Sequence, residues 1–360
     1  MGTISQNLQK LIDAKNDIAA AITEKGGTVN NGDGFEEFAD DIATIPSGSL
    51  PCLEFTGTKS FTLKTSAGKV WDGIIKYSTD KENWNTWDGS STNTISSGAN
   101  NKLYLRGYGN TRISYQTAGS NNSYFVFSTT GTITCTGRID SLLDCEKVAQ
   151  GEEPEMSDHC YYNLFKNNKK ITTSPELPAT SLAQYCYCSM FSGCTGLTSA
   201  PSLTASTLAA YCYYSMFQGC TGLTKLPTLS ATTLANHCCE YMFKDCTGLT
   251  AAYGTRNATL AQYCYAHMFD GCTNLKTPTV QLYGATLPSG CYNGMFYGCT
   301  SIVIRSAAQG YTKFLQTKIP WGSYGTAADS TSVANMFYGA DIPFSGGTPP
   351  LNTLLYIILD

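Results

Sequence analysis

The sequence predicts a multidomain α+β protein with three parts. These are an N-terminal helical segment (residues 1–46), a β-sandwich (residues 50–145) and a solenoid of 26-residue repeats with a C-terminal cap (residues 155–360). Three observations predict them. Apolar residues recur at helical spacing near the N-terminus, short β-prone runs alternate with turn residues in the middle, and one motif returns at a fixed period in the C-terminal half.

Composition excludes several classes of function. The 360 residues carry a net charge of −4, and only 14% of them are charged, so a basic surface for nucleic acid or anionic membrane is not expected. No run of apolar residues is long enough to span a membrane. The first residues lack the basic and apolar regions of a secretory signal, so export by that route is not expected.

Residues 1–46 carry the pattern of a helix followed by a shorter helix. Gly26 and Gly27 end the first helix, and Pro46 ends the second. The spacing fits a short coiled coil and an amphipathic helical hairpin equally well. The apolar positions of the first helix are Ile4, Leu8, Leu11, Ile18 and Ile22, with Lys15 in the same seam.

The stretches LIDAKNDIAAAITEKGGTV and GFEEFADDIATIP in this segment resemble the N-terminal module of tail and fibre proteins of tailed phages. The resemblance covers about 45 residues. It implies an attachment or oligomerisation segment of a virion protein, with a homo-oligomer, and plausibly a trimer, as the expected state.

Residues 50–145 favour an immunoglobulin-like β-sandwich, because short strand candidates are separated by Gly, Asn and Ser turns at even spacing. Trp71, Trp84 and Trp87 have two interpretations. They are either aromatic platforms for a carbohydrate ligand or, as in most small sandwiches, packing residues of the core and edges.

The repeats are marked by phenylalanine. Consecutive marker residues are separated by 26 residues, by 27 in one interval and by 41 in the last, which predicts about seven repeats and one insertion: Phe165, Phe191, Phe217, Phe243, Phe269, Phe296 and Phe337. In the second repeat, Leu182, Cys186, Met190 and Phe191 fall on one helical face, and Leu197 begins a short inward-facing strand. The pattern therefore predicts one helix and one strand in each repeat.

Eleven of the 16 cysteines follow the same period, and three explanations compete. Paired cysteines such as Cys186 and Cys194 could form disulfides, or cysteines could bind zinc with His159, His237 and His267. The favoured explanation is an inner ladder of buried polar groups, since the first repeat replaces the second cysteine by asparagine. The predicted ladder is Asn168, Cys194, Cys220, Cys246, Cys272 and Cys299.

The repeated motif M-F-x-G-C followed by C-x-x-L-x-x-[A/L]-P resembles BspA-like leucine-rich-repeat proteins, over about 190 residues. Together with the upstream stretches LYLRGYGNT and GRIDSLLD, it looks like proteins of gut Bacteroidota or their phages. The resemblance implies that the solenoid is leucine-rich-repeat-like and serves adhesion or ligand recognition.

No catalytic constellation is present, so the sequence predicts neither an enzyme nor a cofactor. The acidic residues Glu152, Glu153, Glu155 and Asp158 fit a solvated capping segment better than a calcium site. Where the repeats vary on the strand face, four side chains are candidate contacts for a partner: Lys225, Tyr253, Arg256 and Lys276.

The leading functional hypothesis is a structural protein on the surface of a phage particle. It would be a tail or head fibre bound to other virion proteins through its N-terminal segment, and it would recognise a protein or glycan on the host cell. The alternatives are a bacterial cell-surface adhesin and a carbohydrate-binding protein that uses the β-sandwich.

Overall fold

The computed structural model describes residues 12–16, 18, 19, 22, 50–114, 123–253, 259–279, 287–305, 314–318, 331–343 and 354–358. Contacts between residues divide the chain into two compact units, Met1–Pro51 and Cys52–Asp360. In the first unit, residues 12–16, 18, 19 and 22 have helical backbone but delimit no helix. The rest of the predicted helical segment, residues 1–46, lies outside the described residues.

The second unit begins with two β-sheets. The larger has the strand order β4-β3-β6-β1-β8-β9 and the smaller β5-β2-β7, and all neighbours are antiparallel except β8 and β9. Side chains of both sheets meet in an apolar core, where the rings of Phe55 and Phe127 have centroids 5.0 Å apart. The strands are β1 (Leu53–Gly57), β2 (Thr62–Thr65), β3 (Ile74–Ser78), β4 (Asn85–Thr86), β5 (Ile95–Ser96), β6 (Lys102–Tyr108), β7 (Phe125–Ser128), β8 (Ile133–Thr136) and β9 (Ile171–Thr173).

Two short helices follow β8. They are the 3₁₀ helix Ile139–Leu142 and the α-helix Cys145–Ala149. The Asp144 carboxylate accepts hydrogen bonds from the amides of Glu146 and Lys147, at 3.1 and 3.2 Å, and so caps the α-helix. Within the part of the chain that the structure describes, no helix has the length and apolar character needed to cross a membrane.

Between residues 159 and 341, the described parts of successive repeats stack on one another, and we call this region the repeat stack. Its backbone amides alternate between two kinds of partner. The amide of Tyr187 donates to the carbonyl of Cys212 in the next repeat at 3.0 Å, whereas the amide of Cys188 donates to Tyr185, three residues back, at 3.1 Å. This alternation runs from residue 185 to residue 194, so each repeat supplies half of the hydrogen-bond acceptors of its neighbour.

Every fourth residue of these segments is left-handed. In the second repeat, Tyr185, Ser189 and Gly193 have φ angles of 57°, 52° and 75°. An α-helix needs an unbroken series of negative φ angles, so the helix predicted over this stretch cannot form. The buried residues spaced four apart, such as Cys186 and Met190, match the four-residue period of the turns as well as they match a helix.

The predicted fold class is therefore wrong. The described secondary-structure elements are mostly short strands with only two short helices, and they include no N-terminal helical segment. The sheets are not those of a leucine-rich-repeat solenoid, because the described repeats do not each add a strand to one continuous parallel sheet. The physical reason is the left-handed residue in each four-residue turn, which directs half of the amides to the neighbouring repeat instead of along a helix.

Strands in the rest of the second unit are short. Two of them, β10 and β11, pair in parallel, and the other three form an antiparallel sheet of order β12-β14-β13. Their bounds are β10 (Ala251–Tyr253), β11 (Thr277–Thr279), β12 (Val303–Arg305), β13 (Phe314–Lys318) and β14 (Leu354–Ile358).

The marker phenylalanines form the inner column of the repeat stack. Consecutive rings are nearly parallel, with centroids 5.4–5.6 Å apart from Phe165 through to Phe337. Phe337 stacks directly on Phe296, so the sequence inserted between them does not interrupt the column. At the other end of the column, the ring of Phe165 packs against the rings of Phe55 and Phe125, with centroids 6.3 and 5.9 Å away. The sheets and the repeat stack therefore share one core.

Candidate recognition groove

A second aromatic column lies at the surface of the repeat stack; we call it the outer ladder. It consists of the first left-handed residue of each turn segment, and its consecutive rings are nearly parallel with centroids 4.4–4.9 Å apart. All five side chains are partly exposed. The outer ladder is His159, Tyr185, Tyr211, His237 and Tyr263.

These rings stand on a strained backbone. Their φ angles lie between 51° and 61°, and a left-handed conformation costs a residue with a side chain about 1–2 kcal/mol. A favourable aromatic pair contributes about 0.5–1.5 kcal/mol, so stacking on both sides can offset that cost. In the sixth repeat, Gly290 occupies the same left-handed position, and a side chain there would clash with the ring of Tyr263. The outer ladder therefore ends at Tyr263.

All rings of the outer ladder except that of Tyr263 line a groove of about 500 Å³. The rest of the lining comes from the residues three positions later in the same repeats, because the tight turn brings both positions to the same surface. The lining contains aromatic rings, hydroxyls, imidazoles, one thiol and one carboxylate, but no Lys or Arg. We call it the recognition groove: His159, Tyr162, Tyr185, Cys188, Tyr211, Tyr214, His237 and Glu240.

The carboxylate of the recognition groove is held by an imidazole. Oε2 of Glu240 lies 2.5 Å from Nδ1 of His237. Burial raises the pKa of Glu240 above its usual value, although the contact with His237 acts in the opposite direction. Burial is also the main reason that the pKa of Tyr214 and that of Cys188 rise to about 12. Near neutral pH the phenol and the thiol are protonated, so they are hydrogen-bonding groups and not nucleophiles.

A histidine outside the groove lining forms a separate polar network. Nδ1 of His267 lies 3.0 Å from Oδ2 of Asp270, and Nζ of Lys244 from the preceding repeat lies 2.7 Å from the same oxygen. Burial opposes ionisation of Asp270, but the hydrogen bonds from His267 and Lys244 outweigh it, and the pKa of Asp270 falls below its usual value. These contacts tie successive repeats together.

Of the four side chains predicted as partner contacts, the two that the structure describes, Lys225 and Lys276, do not line this groove. Lys225 and Lys276 are exposed on the strand side of the repeats, where Lys225 pairs with Ser199 and the amide of Lys276 donates to Thr250. Tyr253 belongs to β10, and its side chain is outside the described part of the structure, as is the whole of Arg256.

The residues of the predicted inner ladder lie in the core. Each thiol donates a hydrogen bond of 2.9–3.1 Å to the carbonyl of the marker phenylalanine in the preceding repeat: Cys194, Cys220, Cys246, Cys272 and Cys299. Asn168 donates instead to the carbonyls of Phe125 and Phe165, at 2.6 and 3.1 Å. All the described cysteines are free thiols.

Other candidates from the sequence are structural in this fold. Trp71 and Trp87 are buried against each other with centroids 5.1 Å apart, while the Arg106 guanidinium lies 3.8 Å over the ring of Trp84. In the acidic cluster, Glu153 accepts hydrogen bonds from Thr180, and Asp158 accepts one from the amide of Gln184. Among the described residues, no group of three or more His, Cys, Asp or Glu side chains is placed to hold a metal ion.

The sequence contains a periodic signal for the outer ladder. His159 and His237 align with Tyr185, Tyr211 and Tyr263 at the 26-residue period, which marks one aromatic position per repeat. A period does not show which side of a turn faces solvent, and the predicted helix placed these residues differently. Their partial exposure depends on the left-handed backbone, which leaves no clear trace in the sequence.

Comparison with known proteins finds no match, whether to a protein-family model, to a curated protein or to a solved structure.

Proposed function

We propose that this chain is a non-catalytic recognition protein whose recognition groove binds a neutral polysaccharide. The observation that carries the proposal is the outer ladder, five nearly parallel rings at a regular spacing of 4.4–4.9 Å beside a groove of about 500 Å³. A surface that repeats the same chemical group at a fixed interval suits a ligand that is itself a repeating polymer.

The chemistry of the lining favours sugar hydroxyls. Phenol hydroxyls and imidazoles can donate to and accept from such groups, the Glu240 carboxylate can accept from them, and the exposed ring edges add apolar contact. An anionic polymer is disfavoured, because the lining has no Lys or Arg and contains a carboxylate.

The spacing argues against an extended peptide as the main ligand. Side chains on one side of a β-strand are about 6.6–6.8 Å apart, since each residue rises about 3.3–3.4 Å. The rings of the outer ladder are closer together, so successive peptide side chains fall out of register with them after one or two steps.

We place this binding activity on the surface of a phage particle, as the N-terminal resemblance implies. In that setting residues 1–46 attach the protein to other virion proteins and support a homo-oligomer, and the repeat stack recognises a host polysaccharide. A bacterial cell-surface adhesin is the alternative setting. Mass spectrometry of purified virions and of the host envelope fraction separates the two, because the protein should be found in only one of them.

The binding proposal is tested with the full chain on a glycan array, followed by calorimetry with the best neutral polysaccharide. The informative variant is Tyr211→Gly, because Gly290 shows that glycine fits this left-handed position in another repeat. We expect at least tenfold weaker binding, since Tyr211 is the central ring of the outer ladder and its loss leaves both neighbouring rings unstacked on one face.

The matched control is Tyr297→Ser. It also removes an exposed, stacked tyrosine, but one outside the recognition groove, and serine stands at the equivalent position of the second repeat. Its affinity should equal that of the unsubstituted chain. The proposal fails if no neutral glycan binds, or if Tyr211→Gly and Tyr297→Ser bind equally well; preferential binding to an extended peptide library would also overturn it.

A further inference from the structure

A second cleft lies where the smaller sheet meets the first repeat, and three of its lining residues are lysines. Its volume is about 480 Å³. One side is formed by Tyr124, by β7 and by Thr129, and the other by the turn at residues 166–170, which carries Lys166, Lys169 and Lys170. We call it the lysine cleft.

These lysines break the repeat pattern. At the positions of Lys169 and Lys170, the next three repeats have a threonine followed by a glycine. In the second and third repeats this glycine is tightly packed against the preceding repeat: a Cβ at Gly196 would lie 2.5 Å from the carbonyl oxygen of Lys169, and one at Gly222 would lie equally close to that of Thr195.

The first repeat is free of that constraint, because β7 and the sheets precede it in place of another turn. This explains why a long side chain fits at position 170. It does not explain why two adjacent positions, together with position 166, all carry lysine in a chain with 14% charged residues.

The positive charge of the lysine cleft is not balanced locally. None of its lining residues is acidic, and within the described part of the structure Lys166, Lys169 and Lys170 form no ion pair. Lys81, Lys102 and Lys244, by contrast, each contact a carboxylate. Three ammonium groups around a partly apolar cleft attract an anion. Each ammonium group has several N–H donors with which to contact it.

We propose that the lysine cleft binds an anionic group, a sulfate, phosphate or carboxylate carried on a larger ligand. Val126 and Phe127 supply apolar surface for the body of that ligand, while the exposed amide group of Asn167 adds a polar contact on the same side as the lysines. The site is separate from the recognition groove, so its ligand need not be the neutral polymer proposed above.

The test uses the full chain and three probes that separate the possible sources of the anion: heparin for sulfate, polyphosphate for phosphate and polygalacturonate for carboxylate. Affinity is measured by calorimetry at several salt concentrations. The variant combines Lys166→Ser, Lys169→Thr and Lys170→Gly, the residues found at these positions in the second repeat. We expect at least tenfold weaker binding of the preferred probe and a salt dependence shallower by about two to three in the log–log slope.

A charge-matched control removes three other lysines, by Lys69→Ser, Lys76→Thr and Lys147→Ala, and should leave both quantities near those of the unsubstituted chain. Hydrogen–deuterium exchange on the unsubstituted chain keeps the test decisive if the triple variant does not fold. The preferred probe should protect residues 124–129 and 166–170. Equal weakening by both triple variants, protection elsewhere, or no salt-dependent binding of any probe overturns the proposal.

Discussion

Replacing Phe217 by alanine should cause one of the largest losses of stability that a single substitution can produce in this chain. The ring is fully buried and lies between Phe191 and Phe243, with centroids 5.6 and 5.5 Å away. Its carbonyl also accepts the thiol hydrogen bond of Cys246. A cavity at this position would therefore lie in the middle of the inner column.

The magnitude follows from these contacts. Truncating a buried phenylalanine to alanine costs about 3–5 kcal/mol, because apolar contact is lost and the cavity closes only in part. Two aromatic pairs also disappear, each of which contributes about 0.5–1.5 kcal/mol. We expect a loss of about 4–8 kcal/mol, which is comparable with the whole free energy of unfolding of many domains.

Phe337→Ala is the matched comparison. Phe337 is as buried as Phe217, but among the described rings it stacks on Phe296 alone, at 5.4 Å. It should lose one aromatic pair fewer, so its destabilisation should be smaller by about 0.5–1.5 kcal/mol.

Equilibrium urea unfolding, followed by circular dichroism and by amide hydrogen exchange, measures both variants. Hydrogen exchange reports which repeats open, which matters because a stack of repeats can unfold in parts. If Phe217→Ala costs less than about 2 kcal/mol, or if Phe337→Ala costs more than Phe217→Ala, the inner column does not contribute as its geometry indicates.

Further substitutions test the repeat contacts and the buried carboxylates. Gly222→Ala should cost about 1–3 kcal/mol in urea unfolding, since its Cβ would lie 2.5 Å from the carbonyl oxygen of Thr195; a neutral result would contradict the close packing of repeats. The pKa of Asp270 is lowered in the fold, so stability should fall as pH drops through that pKa, and Asp270→Asn should flatten this acid limb in thermal melts. The pKa of Glu240 is raised, so the folded state binds the proton more tightly, and stability should fall as pH rises from the usual carboxyl pKa through the raised one. Glu240→Gln should remove that loss, and an unchanged pH profile would refute the assignment.

The residue spacing that predicted a helix in each repeat fits the observed four-residue turns equally well. Cys186 and Met190 are four apart, and this spacing places both on one side of an α-helix and on one side of a chain of four-residue turns. The choice between them depends on acceptors outside the segment. The amide of Tyr187 finds the carbonyl of Cys212, which lies 25 residues away in sequence. Helix propensity, a local property, carries no information about that partner.

Two candidate sites show what a single sequence can and cannot indicate. The departure of Lys169 and Lys170 from the repeat pattern is visible in the sequence, but the cleft around them requires β7, which is some 40 residues earlier in the chain. The recognition groove is formed by positions of each repeat three residues apart, and only the left-handed backbone brings both to the same surface.

The sequence by itself determined the period of the repeats, since the marker phenylalanines recur at the interval that separates the stacked rings in the fold. Periodicity is a property of the order of residues and needs no partner to be read. Only the tertiary structure decided how each repeat closes, which amides point to the neighbouring repeat and which aromatic column faces outward. Those outcomes depend on hydrogen bonds between residues distant in sequence, whose energy appears only when neighbouring repeats are stacked.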